Sequence, residues 1–564
     1  MTKVQLVGLA ATGISLAVFL LQGVLSPDAK AKNESDFFSA GGRTSTDDYA
    51  NSFVGYALQM AAFFLFATWG YQYGLGALWA VMFWFVGWIV LRSLTQQFAD
   101  FRENTADSTT MHEYIKLRFG STRTLQLVAA LATVLGLAGT MFAEVDYVAQ
   151  VLAPVIGSWH VGAQLLLWIA LCLVGSWYVI WNGFLAEVRV ARTQMLFAYA
   201  GIGMAISVLC FALARAVPSR STTAICGIVA LSFFAAGLAR SGFPKDRSWR
   251  QKAVQLQGGL ISLVFAFVCL VLAGISFYHG GQVHNADAVF SLPYSVQLEA
   301  QGWLGVVSLF FANALWMLVD ASTWQRVGSM PRTETLANNL ELATSRIAIE
   351  SPATWILGCA FGWLIHDLKL VPTGGSEWNA MQYFAEALAN GGIFGAGATA
   401  LFLYGLFIAA CIAVMLSTVA SLLSTVGFTV ERDLLREEDS LKRAKTVTAL
   451  SLLVLGAGYL VLKVVLGAST SGLLYTAYSS QLALWLVVLL ALFRERRGES
   501  RAATSSILSG LAAAALMIIL QILNPSLQEL AVLPPLIVAL ASLGTYVLVN
   551  LLSKQSDSGA SAAR

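Results

Sequence analysis

Five hydroxyl side chains lie close together near the end of one long apolar stretch: Ser417, Thr418, Ser421, Ser424 and Thr425. Residues three, four, seven or eight positions apart share one face of an α-helix. In a membrane, a polar helix face must be turned toward protein, water or an ion, and oxygen ligands suit a hard cation. Serine and threonine in membrane helices also commonly bond to the carbonyl four residues earlier or pack against neighbours. The pattern alone leaves both interpretations open.

Two carboxylates, Glu144 and Asp146, lie inside the apolar run at residues 124–155. Burying an ionisable group in a membrane is costly, so such a group is a functional candidate by default. Residues two positions apart are roughly 200° apart around a helix, so only one of the two can face a central cavity. We favour Glu144 for that position. In the alternative interpretation, both carboxylates lie near the outer interface or pair with a neighbouring helix.

The composition places these groups in a membrane protein. Of the 564 residues, 57% are hydrophobic and 12% are charged, and the mean hydropathy is +0.70. Soluble proteins carry about 25% charged residues, and the repeated apolar runs match helices that cross a bilayer. The sequence therefore predicts an all-α polytopic membrane protein embedded in a lipid bilayer. Its net charge of +3 does not indicate a nucleic-acid partner.

The residue types expected of an enzyme or a metalloprotein do not cluster in the sequence. The five histidines are dispersed, and we find no phosphate-binding glycine loop and no grouping of a nucleophile with a base. The six cysteines lie in apolar runs without the spacing of metal ligands, which is typical of small core residues. We therefore expect a protein that is not an enzyme and that uses neither a cofactor nor a transition metal.

Fifteen transmembrane spans are predicted, at residues 4–25, 51–74, 76–98, 124–155, 162–181, 190–214, 222–239, 254–278, 302–320, 347–365, 395–430, 446–466, 472–493, 504–523 and 531–552. Lysine and arginine gather on the cytoplasmic side of membrane proteins. With the N-terminus outside and the C-terminus in the cytoplasm, the basic residues outside cytoplasmic loops are Lys3, Arg215, Arg220, Lys369 and Lys463. We expect this orientation in a cell membrane, namely a bacterial inner membrane.

The span at 395–430 is longer than a bilayer requires. At 1.5 Å per residue it would extend about 54 Å, whereas the hydrocarbon core is about 30 Å thick. It must tilt, project into water, or begin as a separate short helix after the glycine pair at 391–392.

Five segments of the chain occur in the order in which one transporter family carries them. They are FFSAGGR at 37–43, TMHEY with RFG at 110–120, GFLA with TQ at 183–194, Asp with WQR at 320–326, and the Ala/Ser-rich run ending in ERDL at 409–434. With these segments the chain resembles the sodium:solute symporter family.

The resemblance implies an inverted-repeat transporter core with a broken first and a broken sixth core helix. It divides the chain into an N-terminal extra helix and loop at 1–50, a first five-helix repeat at 51–214, an inserted helix pair at 215–300, a second five-helix repeat at 301–494, and C-terminal extra helices and tail at 495–564. A degraded copy of the WQR segment, DRSWRQ at 246–251, leaves a second alignment open. We favour the later copy, because one helix then leads into the hydroxyl-rich helix, as in the family.

The resemblance also implies a sodium site. In the family, backbone carbonyls of the broken first helix complete a shell around a Ser-Thr pair on the eighth helix. Matched residue by residue, the carbonyls are those of Ala57, Met60 and Val414, and the hydroxyls are those of Ser417 and Thr418. Neutral oxygen ligands suit a hard cation that must also be released.

The chain departs from the family pattern at two places. The expected break, at 57–62, contains neither glycine nor serine, which leaves a weakened or remodelled sodium site as an alternative. Ala191 lies where many members carry an Asp linked to sodium coupling. This second departure argues against another sodium ion there and favours a proton-coupled alternative that uses Glu144.

Four residues are candidates for solute contact: Gln59 at the expected break, Glu144, Asn313 within the sixth core helix, and Trp316 as an aromatic wall. The leading hypothesis is symport of a small organic solute into the cell, with sodium as the coupling ion. The alternatives are a proton-coupled symporter of the same fold and a membrane sensor that binds solute without transporting it. Nothing in the sequence selects one solute from the family's range of sugars, amino acids, carboxylates, urea and vitamins.

Overall fold

The computed structural model describes residues 2–25, 30–106, 109–120, 122–157, 161–216, 220–241, 249–280, 298–373, 379–393, 395, 397–435, 440–461, 479–493, 495–496, 499–524 and 533–562. Within these residues the chain is helical and contains no β-strand. The helices are α1 Lys3–Val24, α2 Glu34–Ser39, α3 Thr46–Leu58, α4 Met60–Tyr73, α5 Leu78–Ser93, α6 Thr95–Asn104, α7 Met111–Phe119, α8 Arg123–Ile156, α9 Val161–Asn182, α10 Phe184–Ala216, α11 Arg220–Ser241, α12 Trp249–Gly280, α13 Leu298–Ala314, α14 Trp316–Val319, α15 Ala321–Gly328, α16 Leu336–Asp367, α17 Ala380–Ala389, α18 Ala398–Thr429, α19 Leu441–Leu460, α20 Trp485–Phe493, α21 Ser500–Leu523 and α22 Pro534–Ala562.

Helices long and apolar enough to cross a membrane dominate the described residues. Nine single helices meet this condition there, and two bent pairs do so when each pair counts as one span. This confirms the predicted all-α integral membrane architecture. Every predicted span overlaps a helix or a bent pair, but those at 162–181, 302–320, 446–466 and 472–493 fall on helices that are shorter, more charged or partly undescribed. The count of fifteen therefore stays a prediction.

The first core helix is broken where the sequence predicts. α3 ends at Leu58, α4 begins at Met60, and the two are bent by 50°. Gln59 between them has φ +30° and ψ 123°, a backbone conformation that residues with a side chain rarely adopt. The break therefore forms without glycine, and surrounding contacts must hold it.

The sixth core helix is also interrupted. α13 ends at Ala314, the single turn α14 ends at Val319, and Asp320 then leaves helical geometry with φ −74° and ψ 109°. The Asp320 carboxylate caps α15 by accepting bonds from the backbone N–H groups of Ser322 at 3.3 Å and Thr323 at 3.0 Å. The chain thus leaves α13 through two interruptions.

The second core span bends where the sequence becomes polar. The predicted span at 76–98 divides into α5 and α6, which are bent by 50°. α6 contains Asp100 and Arg102, and charged side chains are disfavoured in the apolar core of a bilayer. The straight apolar part therefore ends at Ser93, earlier than predicted.

α18 is the centre of the described structure. The most apolar stretch of Ala398–Leu435 is 94% buried, compared with 22% for Lys3–Val24. α1, α8, α9, α10 and α19 pack around this helix. Of the three possibilities for the long span at 395–430, a separate short helix is wrong, because α18 is continuous and extends into a π-helical turn, Val430–Leu435.

Two glycines allow α4 and α16 to pack backbone against backbone. A side-chain carbon on Gly70 would clash with the carbonyl of Cys359, and one on Gly362 would clash with the carbonyl of Ala67. Small residues permit this approach between membrane helices, where van der Waals packing drives association. The second half of the broken helix is therefore anchored against α16.

Replacing Gly362 by alanine should destabilise the protein by about 1–3 kcal/mol, because the added carbon overpacks this contact. The matched control is Gly544→Ala in α22, where a side-chain carbon would meet nothing within 4 Å and alanine favours the helix by roughly 0.5–1 kcal/mol. Thermal unfolding of the purified variants in detergent measures both effects. Equal midpoints for the two variants would contradict the close packing of α4 on α16.

Candidate functional site

A buried carboxylate binds the backbone at the break in the first core helix. Glu144 on α8 is fully buried, and its carboxylate accepts bonds from the backbone N–H groups of Met60 at 3.0 Å and Ala61 at 2.9 Å. The first N–H groups of a helix have no partner within that helix, and leaving them unpaired in an apolar interior is costly. Glu144 therefore satisfies two donors at the start of α4 and stabilises the bend at Gln59.

The same two bonds change the surroundings of a predicted sodium ligand. In an uninterrupted helix, the N–H of Ala61 would donate to the carbonyl of Ala57, four residues earlier. Because Ala61 donates to Glu144 instead, the buried carbonyl of Ala57 loses its usual helical donor. The predicted ligand Met60 is placed differently, since it is the first residue of α4 and its carbonyl lies in a helical turn.

A hydroxyl of α18 faces the broken helix. Ser417 Oγ lies 2.9 Å from the position that a side-chain carbon on Gly55 would take, so α3 and α18 touch here. This oxygen is buried and has no hydrogen-bond partner among the described residues. Thr418 Oγ1 donates to the carbonyl of Val414 at 3.2 Å, as the back-bonding interpretation predicts for this residue. A hydroxyl that donates its hydrogen keeps lone pairs for a cation.

Aromatic rings cover the break on the side of the sixth core helix. Trp316 stacks on Tyr56, with the ring centroids 5.6 Å apart. Trp84 lies 5.0 Å from Trp316 and 4.4 Å from Trp355, measured between centroids. Because Tyr56 precedes Gln59 by less than one helical turn, the structure brings the two solute candidates Gln59 and Trp316 to the same region.

Asn313, the third solute candidate, links two helices. Its Nδ2 donates to the carbonyl of Ala80 on α5 at 3.3 Å. Asn313 is buried, so this bond satisfies an amide donor in an apolar environment. It lies one turn before Trp316 on the sixth core helix, and its placement fits a residue that positions α13 against α5.

The two carboxylates of α8 point to different neighbours. Glu144 binds the start of α4, whereas Asp146 Oδ1 accepts a bond from the Tyr459 hydroxyl of α19 at 2.6 Å. Two carboxylates two positions apart on a helix cannot face the same neighbour. Asp146 is therefore an interhelical contact on the side of α8 that faces α19.

A buried ion pair between Glu187 and Arg326 contacts α3, the first half of the broken helix, at Ser52. Arg326 Nη2 is 3.4 Å from Glu187 Oε1, and both side chains are buried. Ser52 donates to Glu187 at 3.2 Å, and Ser421 also donates to it. Arg326 in turn donates to Ser52 at 3.1 Å and to Ser421 at 2.8 Å. The pair joins α3, α10, α15 and α18 through four side chains.

A second ionic cluster joins the helices around Glu350 of α16. Its carboxylate receives Arg346 at 3.1 Å, Arg240 of α11 at 3.1 Å and the hydroxyl of Tyr199 on α10 at 2.8 Å. Arg346 also donates to Asn51 of α3 at 2.7 Å. Buried charges need such partners because an uncompensated charge is strongly destabilising. The cluster ties α11 of the predicted insertion to the core.

A third polar cluster lies at the C-terminal end of α18. Asp433 accepts bonds from Thr110 and Gln126, both at 2.7 Å, and contacts His112 Nδ1 at 2.7 Å. The other ring nitrogen of His112 lies 2.8 Å from the hydroxyl of Thr133. These contacts hold the helix α7 and the start of α8 against the π-helical turn.

The segments that suggested the family resemblance meet around α18. Gln325 donates to the Phe38 carbonyl at 2.7 Å and to Ser424 at 3.0 Å, and its own oxygen receives the hydroxyl of Thr425 at 2.7 Å. Glu187 and Asp433 lie within two further segments. The sequence alone does not reveal the roles of these residues, because the segments that contain them are far apart in the chain. The signal that these residues share is a charged or amide side chain next to an apolar run.

Comparison with solved structures gives a similar architecture. A Na⁺-coupled sialic acid symporter, solved in a substrate-bound outward-open state with a novel Na⁺ site, matches this chain with a TM-score of 0.61 and 15% sequence identity. The match covers 96% of this chain and 97% of the symporter. It shows a shared fold. No family model matches the chain, and no curated protein matches it.

Removing Arg326 alone should destabilise the protein by about 3–5 kcal/mol, since the Glu187 carboxylate would remain buried without its cation. The double variant Arg326→Met/Glu187→Gln should recover most of that loss, because it removes both charges and keeps an acceptor for Ser52 and Ser421. Thermal unfolding of Arg326→Met and of the double variant in detergent measures this recovery.

The control for this experiment is an exposed ion pair. Arg92 and Glu341 are 2.8 Å apart, and their side chains are 53% and 49% exposed. Exposed pairs contribute about 0–1 kcal/mol, so Arg92→Ala should leave the midpoint nearly unchanged. A double variant as unstable as Arg326→Met would show that Glu187 is not the group that requires Arg326.

Proposed function

We propose that this protein is a secondary active transporter that couples the entry of a small organic solute to sodium. The observation that carries the proposal is the contact between the broken first core helix and the hydroxyl-bearing helix α18, at Gly55 and Ser417. In transporters with inverted repeats, broken helices bind ion and solute near the membrane midplane. The fold shared with a Na⁺-coupled symporter supports the same conclusion.

The proposed sodium site uses the oxygens of Ala57, Met60, Val414, Ser417 and Thr418. Three features support it. The Ala57 carbonyl has lost its helical donor to Glu144. The buried Ser417 hydroxyl lacks a partner among the described residues. The Thr418 hydroxyl and the Val414 carbonyl already lie 3.2 Å apart, so neighbouring oxygens are available to a hard cation.

The proposed solute site lies beside the same break. Gln59 is part of it because it occupies the bend itself, and Trp316 because it stacks against the helix leading to the bend. Glu144 and Asn313 belong to the surroundings of this site, where each bonds to a backbone group of a neighbouring helix. Gln59 would supply an amide and Trp316 an aromatic ring, two kinds of group that line pockets for small molecules.

We expect sodium to stabilise the purified protein specifically and saturably, compared with potassium or choline at equal ionic strength. A ligand that binds the folded state at 100 times its dissociation constant stabilises by about 2.7 kcal/mol. The effect should disappear in Ser417→Ala/Thr418→Ala. Ser15→Ala in α1 is the control, because this buried hydroxyl bonds to the carbonyl of Ala11 at 2.8 Å in another region.

Two results would contradict the sodium assignment. One is a sodium effect that persists unchanged in the double variant. The other is the absence of any sodium effect, with stability that instead follows pH and loses that dependence in Glu144→Gln. The second result would favour the proton-coupled alternative. Uptake of solute into proteoliposomes under an imposed sodium gradient then separates a transporter from a sensor.

We also propose the orientation with the N-terminus outside and the C-terminus in the cytoplasm of a bacterial cell. The distribution of lysine and arginine supports it. A membrane-impermeant maleimide should label Thr2→Cys in intact spheroplasts and should label Ser556→Cys only after lysis. The native cysteines lie in apolar helices, so the parent protein serves as the background control. The reverse labelling pattern would invert the orientation.

A further inference from the structure

A resident carboxylate occupies the start of the second half of the broken helix. Both oxygens of Glu144 are engaged, one with Met60 N–H at 3.0 Å and one with Ala61 N–H at 2.9 Å. The side chain is fully buried. A helix N-terminus carries about half a positive elementary charge, and α4 has 14 residues. The carboxylate thus satisfies the two donors and balances the helix dipole.

This arrangement affects which solutes can bind at the break. The open end of a half-helix is where transporters of this architecture receive anionic groups of their solutes. Here Met60 and Ala61 already donate to Glu144. A carboxylate on the solute would have to displace Glu144 from these donors or remain without them, and a carboxylate in an apolar site without such partners is strongly disfavoured.

Among the described residues, the other side chains named at the break do not supply a cation for an anionic solute. Tyr56 and Trp316 present aromatic rings, and Gln59 presents a neutral amide. The guanidinium of Arg326 lies 4.6 Å from the centre of the Tyr56 ring, but it is held by Glu187, Ser322, Ser52 and Ser421. Aromatic faces and carbonyl oxygens interact favourably with cations and with neutral donors.

We propose that Glu144 is a positioning and specificity-determining residue: it holds the helix break by accepting from both backbone donors, and it restricts the solute to one that is neutral or cationic. The second half of the proposal, the restriction on the solute, rests on the proposed transport function. The first half concerns the break alone and does not depend on the solute.

The positioning role can be tested by removing the Glu144 carboxylate and supplying acetate in its place. The substitution Glu144→Ala removes the equivalent of an acetate ion from the start of α4. We expect a lower unfolding midpoint for this variant in potassium chloride, and recovery of at least half of the loss in potassium acetate at the same concentration. Wild-type protein and Asp146→Ala should show no acetate-specific shift, because Asp146 bonds to Tyr459 and not to the break.

The absence of an acetate-specific recovery in folded Glu144→Ala would overturn the positioning role. If that variant cannot be purified, Glu144→Gln takes its place. Its amide retains one acceptor but presents an N–H group to the second backbone donor, so we expect a lower midpoint than wild type and a weaker response to saturating sodium. A Glu144→Gln protein indistinguishable from wild type in both measurements would equally overturn the role.

Solute screening on wild-type protein tests the proposed restriction on the solute. In saturating sodium, thermal shifts are measured for solutes grouped as neutral, cationic and carboxylate-bearing. We expect saturable stabilisation by solutes of the first two groups. Saturable stabilisation by a carboxylate-bearing solute would overturn the proposed specificity. Failure of the transport proposal is distinguishable, because it removes the sodium effect on wild type but leaves the acetate response of Glu144→Ala in place.

Discussion

The structure depends on how backbone donors are satisfied where a helix is interrupted inside an apolar interior. An unpaired N–H group in hydrocarbon is costly, and the break between α3 and α4 exposes such groups at Met60 and Ala61. The Glu144 carboxylate accepts from both. This contact makes the unusual backbone of Gln59 tolerable and removes the helical donor of Ala57. Beyond the break, α4 packs against α16 through Gly70 and Gly362.

The same physical requirement explains the buried charges around α18. Glu187, Glu350 and Asp433 are all buried, and each contacts hydroxyl, amide, imidazole or guanidinium groups from other helices. Charges in a low-dielectric interior are tolerated only with such partners. Since these partners come from distant segments, the clusters fix the relative positions of helices that apolar packing alone would leave free to slide. α18 connects two of the clusters and carries Ser417 at its contact with the broken helix.

Individual residues show how far sequence reasoning reaches. The break near 57–62 was predicted from the family resemblance, although the run contains no glycine, and the structure has it at Gln59. Glu144 is a solute candidate in the sequence because it is a carboxylate in an apolar run, whereas in the structure its oxygens accept from the backbone of α4. Asn313 is a candidate because it is a polar residue within an apolar span, and in the structure it links α13 to α5. A buried polar residue is expected to have a partner, but its type and its position in the chain do not reveal which residue that partner is.

The sequence by itself determined the class of the protein, the positions of its apolar helices and the presence of polar groups within them, because hydrophobicity and helical periodicity are local properties of the chain. Only the tertiary structure decided which groups meet. Ser52 and Glu187 are separated by 135 positions, and Thr110 and Asp433 by 323. Their contacts arise from the packing of helices that are distant in the chain, and no local sequence pattern shows which helices pack together. The roles of Glu144, Arg326 and Asp433 therefore belong to the fold.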